Sequence, residues 1–182
     1  MSYTSKEAMA CRGDFPALAR ELNGIPLSYL DGPGGTQVPQ RVIDAVSDYY
    51  SRCNANTHGA FITSSETDVV MDHARETMAA FLGAESAGQV SFGANMTTLN
   101  FALSHALVRK MSPGDEIVIT ELDHEANRGP WLNLRERGII VKEVRMTAGG
   151  TLDRDDLAAK ISERTRVVAM GMASNALGTV SL

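Results

Sequence analysis

The chain has 182 residues, 43% hydrophobic and 21% charged, and 17 Lys plus Arg against 22 Asp plus Glu give a net charge of −5. That length supports a sizeable core without disulfide or metal staples, and the composition is that of an ordinary globular protein. No basic run suggests a nucleic-acid arm and no apolar stretch approaches the roughly 18 residues that span a bilayer, so neither nucleic acid nor membrane is expected as a partner.

The opening segment, Met1 to Phe15, contains no apolar h-region. No signal peptide is therefore expected, and the protein is expected to be cytoplasmic, with Cys11 and Cys53 as free structural thiols. Residues 1–38 are expected to be irregular, since Pro16, Pro26, Pro33 and the turn-rich stretch Asp31 to Gly35 favour extended chain and turns. From Pro39, which suits a first helical turn, the pattern becomes helical, with Val42, Ile43, Val46, Tyr49 and Tyr50 at three- and four-residue steps. A second helix is predicted over 66–82, burying Val69, Val70, His73, Thr77, Ala80 and Phe81 and stopped by Gly83.

The chain then alternates. Strands are predicted at 89–92, 116–120, 139–144 and 166–170, and helices at 96–109, 127–137 and 153–162, with Leu99, Leu103 and Leu107 inward on the first helix and Leu157 and Ile161 on the last. Strands separated by helices of this length indicate βαβ crossovers, hence an α/β fold with a mainly parallel sheet flanked by helices, an α/β/α sandwich. The apolar runs 117–119 and 167–170 predict strands covered on both faces.

Ligands in such folds sit beyond the carboxyl ends of the strands. The segment after the strand at 89–92, Gly93 to Thr98, opens straight into a helix, so Asn95 to Thr98 could cup a phosphate or merely cap that helix. It contains neither a Walker loop nor a G-x-G-x-x-G fingerprint. His124, after the strand at 116–120, could stack on an aromatic ligand, act as a base or bind a metal. No metal is expected, because His58, His73 and His105 show no ligand spacing relative to it. Asn175, after the strand at 166–170, is an amide available to a ligand or a turn.

Five blocks, in order, carry a family resemblance. Gly114-Asp-Glu-Ile-Val-Ile-Thr-Glu-Leu-Asp-His-Glu-Ala-Asn-Arg-Gly-Pro-Trp131 resembles the "GDEI…EHHAN…PW" block of the cysteine desulfurase-like, class V aminotransferases, and Ala173-Ser-Asn-Ala-Leu-Gly-Thr-Val180 their "SNxLGT" block. Phe92-Gly-Ala-Asn-Met-Thr-Thr-Leu99 stands where they carry a phosphate loop, although it departs from their commoner "TRGTTEA" wording. Tyr29-Leu-Asp-Gly-Pro-Gly-Gly-Thr36 resembles "YLDxAA", and Asn56-Thr-His-Gly59 is similar to "NxHRG".

The resemblance implies pyridoxal 5′-phosphate on the large domain of a fold-type-I enzyme, with residues 39–182 as the N-terminal part of that domain. Met96 and Thr97 would hold the phosphate through backbone and hydroxyl donors. His124 would stack on the pyridine ring, and Asn175 would donate to its 3-oxygen. Gly34, Asn56 and His58 would border the pocket of an amino-acid substrate, and a homodimer is the implied assembly. The family's Schiff-base lysine and the acid at the pyridine nitrogen fall in blocks after "SNxLGT", beyond Leu182. No catalytic residue is therefore assigned in this chain, and its 182 residues alone are expected not to turn over substrate. Lys6, Lys110, Lys142 and Lys160 are expected on the solvated surface. Desulfuration, transamination and epimerisation all stay open. The alternatives are a truncated, non-catalytic module acting by binding or subunit association and, less favoured, a nucleotide-binding domain.

Overall fold

A computed structural model describes residues 5–32 and 34–181; Pro33, assigned above to a turn, lies outside the described residues. The chain forms two compact units, Met1–Ser91 and Phe92–Leu182.

The N-terminal unit holds more regular structure than its proline content predicts. Helix α1 (Ser5–Cys11) stands where irregular chain is expected. It is two turns of Lys, Glu, Ala and Met, all strong helix formers, and so too short to show a periodic face. Two single 3-10 turns follow, then strands β1 (Glu21–Leu22) and β2 (Ile25–Pro26), paired antiparallel. Asn23 and Gly24 join them with φ of 53° and 76°, the left-handed pair that tight hairpins require. Arg12 fastens the segment by donating to the Leu18 and Leu27 carbonyls at 2.9 and 3.4 Å.

Helix α2 (Gln40–Arg52) begins after Pro39, and helix α3 (Ile62–Leu82) starts four residues before its predicted limit. Gly83 ends α3 at φ 71°. The expected inward faces are not buried: α2 has no buried residue, and on α3 Val69 and Phe81 are 68% and 80% exposed. A periodic apolar face can only be buried where another element covers it. What α3 buries instead is Ser64, Thr67 and Ala79. The Thr67 hydroxyl donates to the Cys53 carbonyl at 2.7 Å, and Ser64 Oγ donates to the Asn56 carbonyl while accepting from Gly59 N–H, both at 2.6 Å. These bonds hold the loop between α2 and α3 against α3. The strand expected at 89–92 is absent: Ala87–Gln89 form a 3-10 turn, and 90–92 have no ladder partner among the described residues.

The C-terminal unit is built on a parallel sheet. Its elements are helix α4 (Met96–Leu107), strand β3 (Glu116–Thr120), helix α5 (Glu125–Leu132), strand β4 (Ile140–Val144), helix α6 (Arg154–Lys160) and strand β5 (Thr165–Val168). The spatial order is β4-β3-β5, with both pairings parallel. Helix α5 begins at Glu125 rather than Asn127 and tightens to 3-10 over Asn133–Arg137, where Gly138 stops it at φ 78°. Ile117, Val118 and Ile119 are fully buried. Ile117 and Ile119 join Val108, Trp131, Leu134, Val141 and Ala169 in the core cluster.

The outer strand departs from expectation. Val168 and Met170 are 42% and 37% exposed, so 167–170 is not covered on both faces as 117–119 is. Nor are the helices as deeply seated as their periodicity suggests: Leu99, Leu103 and Ile161 are exposed, and α4 buries only Ser104. Among the described residues no helix is long and apolar enough to cross a membrane.

At its amino end the sheet is fastened by one carboxylate. Glu116 is 2% exposed and accepts from Lys142 Nζ and Ser162 Oγ, each at 2.6 Å, with Arg164 Nη2 at 3.2 Å. The Lys142 and Ser162 hydrogen bonds, ahead of the opposing desolvation, hold its carboxyl at about 2. Lys142 is thus an internal ion-pair partner rather than a solvated side chain. Lys160 is likewise engaged, with the Glu143 carbonyl and with Asp156 at 2.6 Å.

Candidate functional site

The order of the strands fixes where a ligand can sit. β3 lies at the centre of the sheet with β4 on one side and β5 on the other, all parallel, so the loops after β3 and β5 leave neighbouring strands at the same carboxyl end. Ligands of open α/β sheets sit in a crevice beyond those ends. In this unit it is a cleft of about 300 Å³ whose wall includes Met96, Asp123, His124, Asn127, Gly171 and Asn175. Three of the singled-out residues, Met96, His124 and Asn175, therefore share one wall although they come from three separate segments.

Each reaches the cleft for a local reason. Asn95 caps α4, its Oδ1 accepting from Thr98 N–H at 2.9 Å, so the cap is real. It does not compete with an anion, because the N–H groups of Met96 and Thr97, in the first turn, have no acceptor within the helix. Thr97 is exposed on that turn and, among the described residues, is not on the cleft wall.

His124 is the N-cap of α5. Its Nδ1 accepts from Ala126 N–H at 3.0 Å, which places the ring proton on Nε2 and fixes the plane of the imidazole. Asn175 sits in a turn closed by Gly178 N–H to the Ser174 carbonyl and Ser174 N–H to the Thr179 carbonyl, both 2.9 Å. Gly178 adopts φ 70° there, a conformation that suits glycine.

Asp123 and Asn127 also line the cleft, and Asn100 holds Asn127 from α4; the sequence reading singles out none of the three. Asp123 accepts from Thr120 Oγ1 at 2.5 Å, Asn127 Nδ2 at 2.9 Å and Gly171 N–H at 2.7 Å. Asn100 on α4 donates to the Ala126 carbonyl at 3.0 Å and to Asn127 Oδ1 at 3.2 Å. The available signal was an acid next to the loop histidine and an asparagine one helical turn beyond Met96.

Gly34, Asn56 and His58 belong to the N-terminal unit. Gly34 N–H donates to Asp31 Oδ1 at 3.1 Å, and a Cβ at 34 would lie 2.5 Å from Asp31 Oδ2. His58 has φ 65°, and its N–H meets both Asp68 oxygens at 3.1 Å, with Nδ1 3.4 Å from Oδ1. Asn56 contributes the carbonyl that Ser64 holds.

The cleft offers an anion-binding helix start, a flat imidazole and an amide, a set that fits a phosphorylated planar ring. Its volume is at the low end for small-molecule sites, roughly 300–1,000 Å³. No lysine is on its wall among the described residues, and no group of three or more His, Cys, Asp or Glu among them could hold a metal ion. A larger cleft, about 430 Å³, lies in the same unit against Leu152, Arg154, Leu157 and Val180 but carries no such set.

Comparison with known proteins bears on this site. A family model described as aminotransferase class-V matches residues 28–182. A cysteine desulfurase of Enterobacter sp. (strain 638) is 39% identical over 173 residues, spanning 93% of this chain and 43% of the relative. A probable cysteine desulfurase of Halobacterium salinarum is 38% identical over 176 residues, spanning 94% and 42%. Among solved structures, the cysteine desulfurase CsdA from Escherichia coli superposes with a TM-score of 0.78 at 26% identity, covering 100% of this chain and 44% of that one. The apo cysteine desulfurase from Thermococcus onnurineus NA1 gives 0.83 at 26% identity, covering 95% and 42%. The chain thus spans less than half the length of these relatives.

Proposed function

The chain belongs to the aminotransferase class-V family, and from that premise we propose that it forms the cofactor cradle of a pyridoxal-phosphate-dependent enzyme of the cysteine desulfurase type, acting on an amino acid. Its α/β architecture is that of the fold-type-I large domain seen in the solved relatives. The observation that carries the proposal is the convergence of Met96, His124 and Asn175 on one cleft beyond the carboxyl ends of β3 and β5.

When bound, pyridoxal phosphate supplies an electron sink for bonds at the amino acid's α-carbon. The chain's own residues bind and orient. The Met96 and Thr97 N–H groups would hold the phosphate, aided by the positive end of the α4 dipole, with the hydroxyl of Thr97, exposed on that turn beside the cleft wall, as a further donor. His124, whose Nδ1 accepts from Ala126 N–H, would present a fixed face for stacking. Asn175 would donate to the ring's 3-oxygen. We assign Gly34, Asn56 and His58 to the amino-acid pocket, on the family reading alone. The same reading supplies a homodimeric assembly, and the composition supplies a cytoplasmic location. No covalent step is assigned to this chain's lysines. Lys142 is committed to Glu116 and to the Lys160 carbonyl, Lys160 Nζ to the Glu143 carbonyl and Asp156, and Lys110 ends the turn that follows α4, at the other end of that helix from Met96.

The test is a titration of the 182-residue protein with pyridoxal phosphate, followed by absorbance and by quenching of Trp131. Saturable binding is expected, weakened about 2- to 13-fold by His124→Ala, as a stacking contribution of about 0.5–1.5 kcal/mol predicts. Asn175→Ala should weaken it by about fivefold, for one hydrogen bond of about 1 kcal/mol. Borohydride reduction should leave no stoichiometric lysine adduct. Unchanged affinity in both variants, or a specific lysine adduct with turnover of cysteine, would refute the assignment.

A further inference from the structure

The three segments that reach the cleft are tied together by a hydrogen-bonded chain that the cofactor reading leaves without a purpose. Its centre is Asp123. One oxygen, Oδ1, accepts from Asn127 Nδ2 at 2.9 Å and from the backbone N–H of Gly171 at 2.7 Å, while Oδ2 accepts from Thr120 Oγ1 at 2.5 Å. Asn127 in turn accepts from Asn100 Nδ2, which also holds the Ala126 carbonyl. The bonds therefore run from α4, through the loop after β3, to the loop after β5. Those three segments carry Met96, His124 and Asn175.

Two features show that the carboxylate acts on the loops and is not a ligand group itself. Both of its oxygens are already occupied, by three donors in all. The partner on the β5 side is a backbone N–H at a glycine, and a Cβ at Gly171 would sit 3.0 Å from Asp123 Oδ1, tighter than side chains ordinarily tolerate. The absence of a side chain at 171 permits the close approach.

We propose that Asp123 is the positioning residue of the cleft: it clamps the loop after β3 to the loop after β5 and so sets the gap between His124 and Asn175. The proposal rests on the reading of this cleft as the pyridoxal-phosphate site. A charge-assisted bond to a backbone N–H is among the stronger ones available, and a group held by preorganised bonds binds its ligand without first ordering the loops.

Two measurements on the 182-residue protein test it. The first, without cofactor, is amide hydrogen exchange at Gly171. Asp123→Ala should accelerate that exchange at least tenfold while the amides of Ile117 and Ile119 keep their protection, a pattern that general destabilisation does not produce. Asp123→Asn should restore it, because its Oδ1 can take Gly171 and Asn127 while Thr120 Oγ1 accepts from the new amide. The second is the pyridoxal-phosphate titration. Affinity should fall about tenfold in Asp123→Ala, about threefold in Asn127→Ala and by less than threefold in Asp123→Asn, in line with one or two lost hydrogen bonds.

The clamp is overturned if Gly171 stays protected in Asp123→Ala, or if protection is lost and affinity is unchanged. Should Asp123→Ala not fold, Asn127→Ala decides by the same two readouts. If the parent protein does not bind pyridoxal phosphate at all, the cofactor reading fails and takes the role in spacing the cofactor groups with it. Gly171 exchange then still shows separately whether Asp123 joins the loops.

Discussion

Replacing Ile119 by alanine tests whether the sheet's centre is built as described. Ile119 is fully buried on β3, the strand hydrogen-bonded on both sides, and it packs in the cluster with Trp131 and Leu134. The substitution removes three carbons. At about 0.8 kcal/mol for each buried methylene, the transfer contribution is about 2.4 kcal/mol. The cavity left in a site that cannot collapse raises the loss to about 3–4 kcal/mol. Against the 5–15 kcal/mol typical of a folded domain that is a large fraction. Val168→Ala provides the contrast: it removes two carbons from a side chain 42% exposed on β5, and less than about 1 kcal/mol is expected. Urea unfolding followed by Trp131 fluorescence measures both, since the protein has one tryptophan and it lies in this cluster. A loss below about 1 kcal/mol for Ile119→Ala, or equal losses for the two variants, would show that β3 is not the packed centre of its unit.

Two further outcomes follow from the polar interior. Glu116 has its folded carboxyl at about 2, below the ordinary value, chiefly through the Lys142 hydrogen bond. Its contribution is therefore present above the unfolded carboxyl range near pH 4.3 and is lost as pH falls from there towards 2. Lys142→Met removes the leading cause, so the midpoint of acid unfolding, followed by Trp131 fluorescence, should move to higher pH; an unchanged midpoint counts against the ion pair. In the N-terminal unit, Ser64→Ala removes both bonds of a fully buried hydroxyl and should lower stability by about 1–3 kcal/mol. The exposed neighbour change Ser65→Ala should stay within about 0.5 kcal/mol; equal thermal shifts for the two would contradict the loop anchoring.

What could be read from sequence follows the range of the interaction. The strands at 116–120 and 139–144 stand out as β-branched runs, and Gly83 and Gly138 stop their helices in the left-handed conformation, a local requirement written in single residues. Helix α1 and the Asn23-Gly24 hairpin are equally local but too short to rise above the surrounding turns. Burial is different. The faces of α2 and α3 have a clear period, yet Val46 and Phe81 are exposed, because periodicity states which side could be covered and not whether anything covers it. The segment 89–92 fails for the same reason, since a strand needs a partner.

The site divides along this line too. His124 and Asn175 could be singled out because each follows a strand in an α/β sheet, and Met96 because it opens a helix, although the strand expected before it does not form. Asp123 could not, because its meaning depends on Gly171, 48 positions away, and nothing in either local sequence announces that bond.

The Glu116 hub gives the sheet a direction. Bonds from Lys142 on β4 and from Ser162 and Arg164 just before β5 meet on one carboxylate at the start of β3, while the loops with His124 and Asn175 leave the opposite end of the sheet. Substitutions in those loops are therefore expected to leave the Glu116 hub intact.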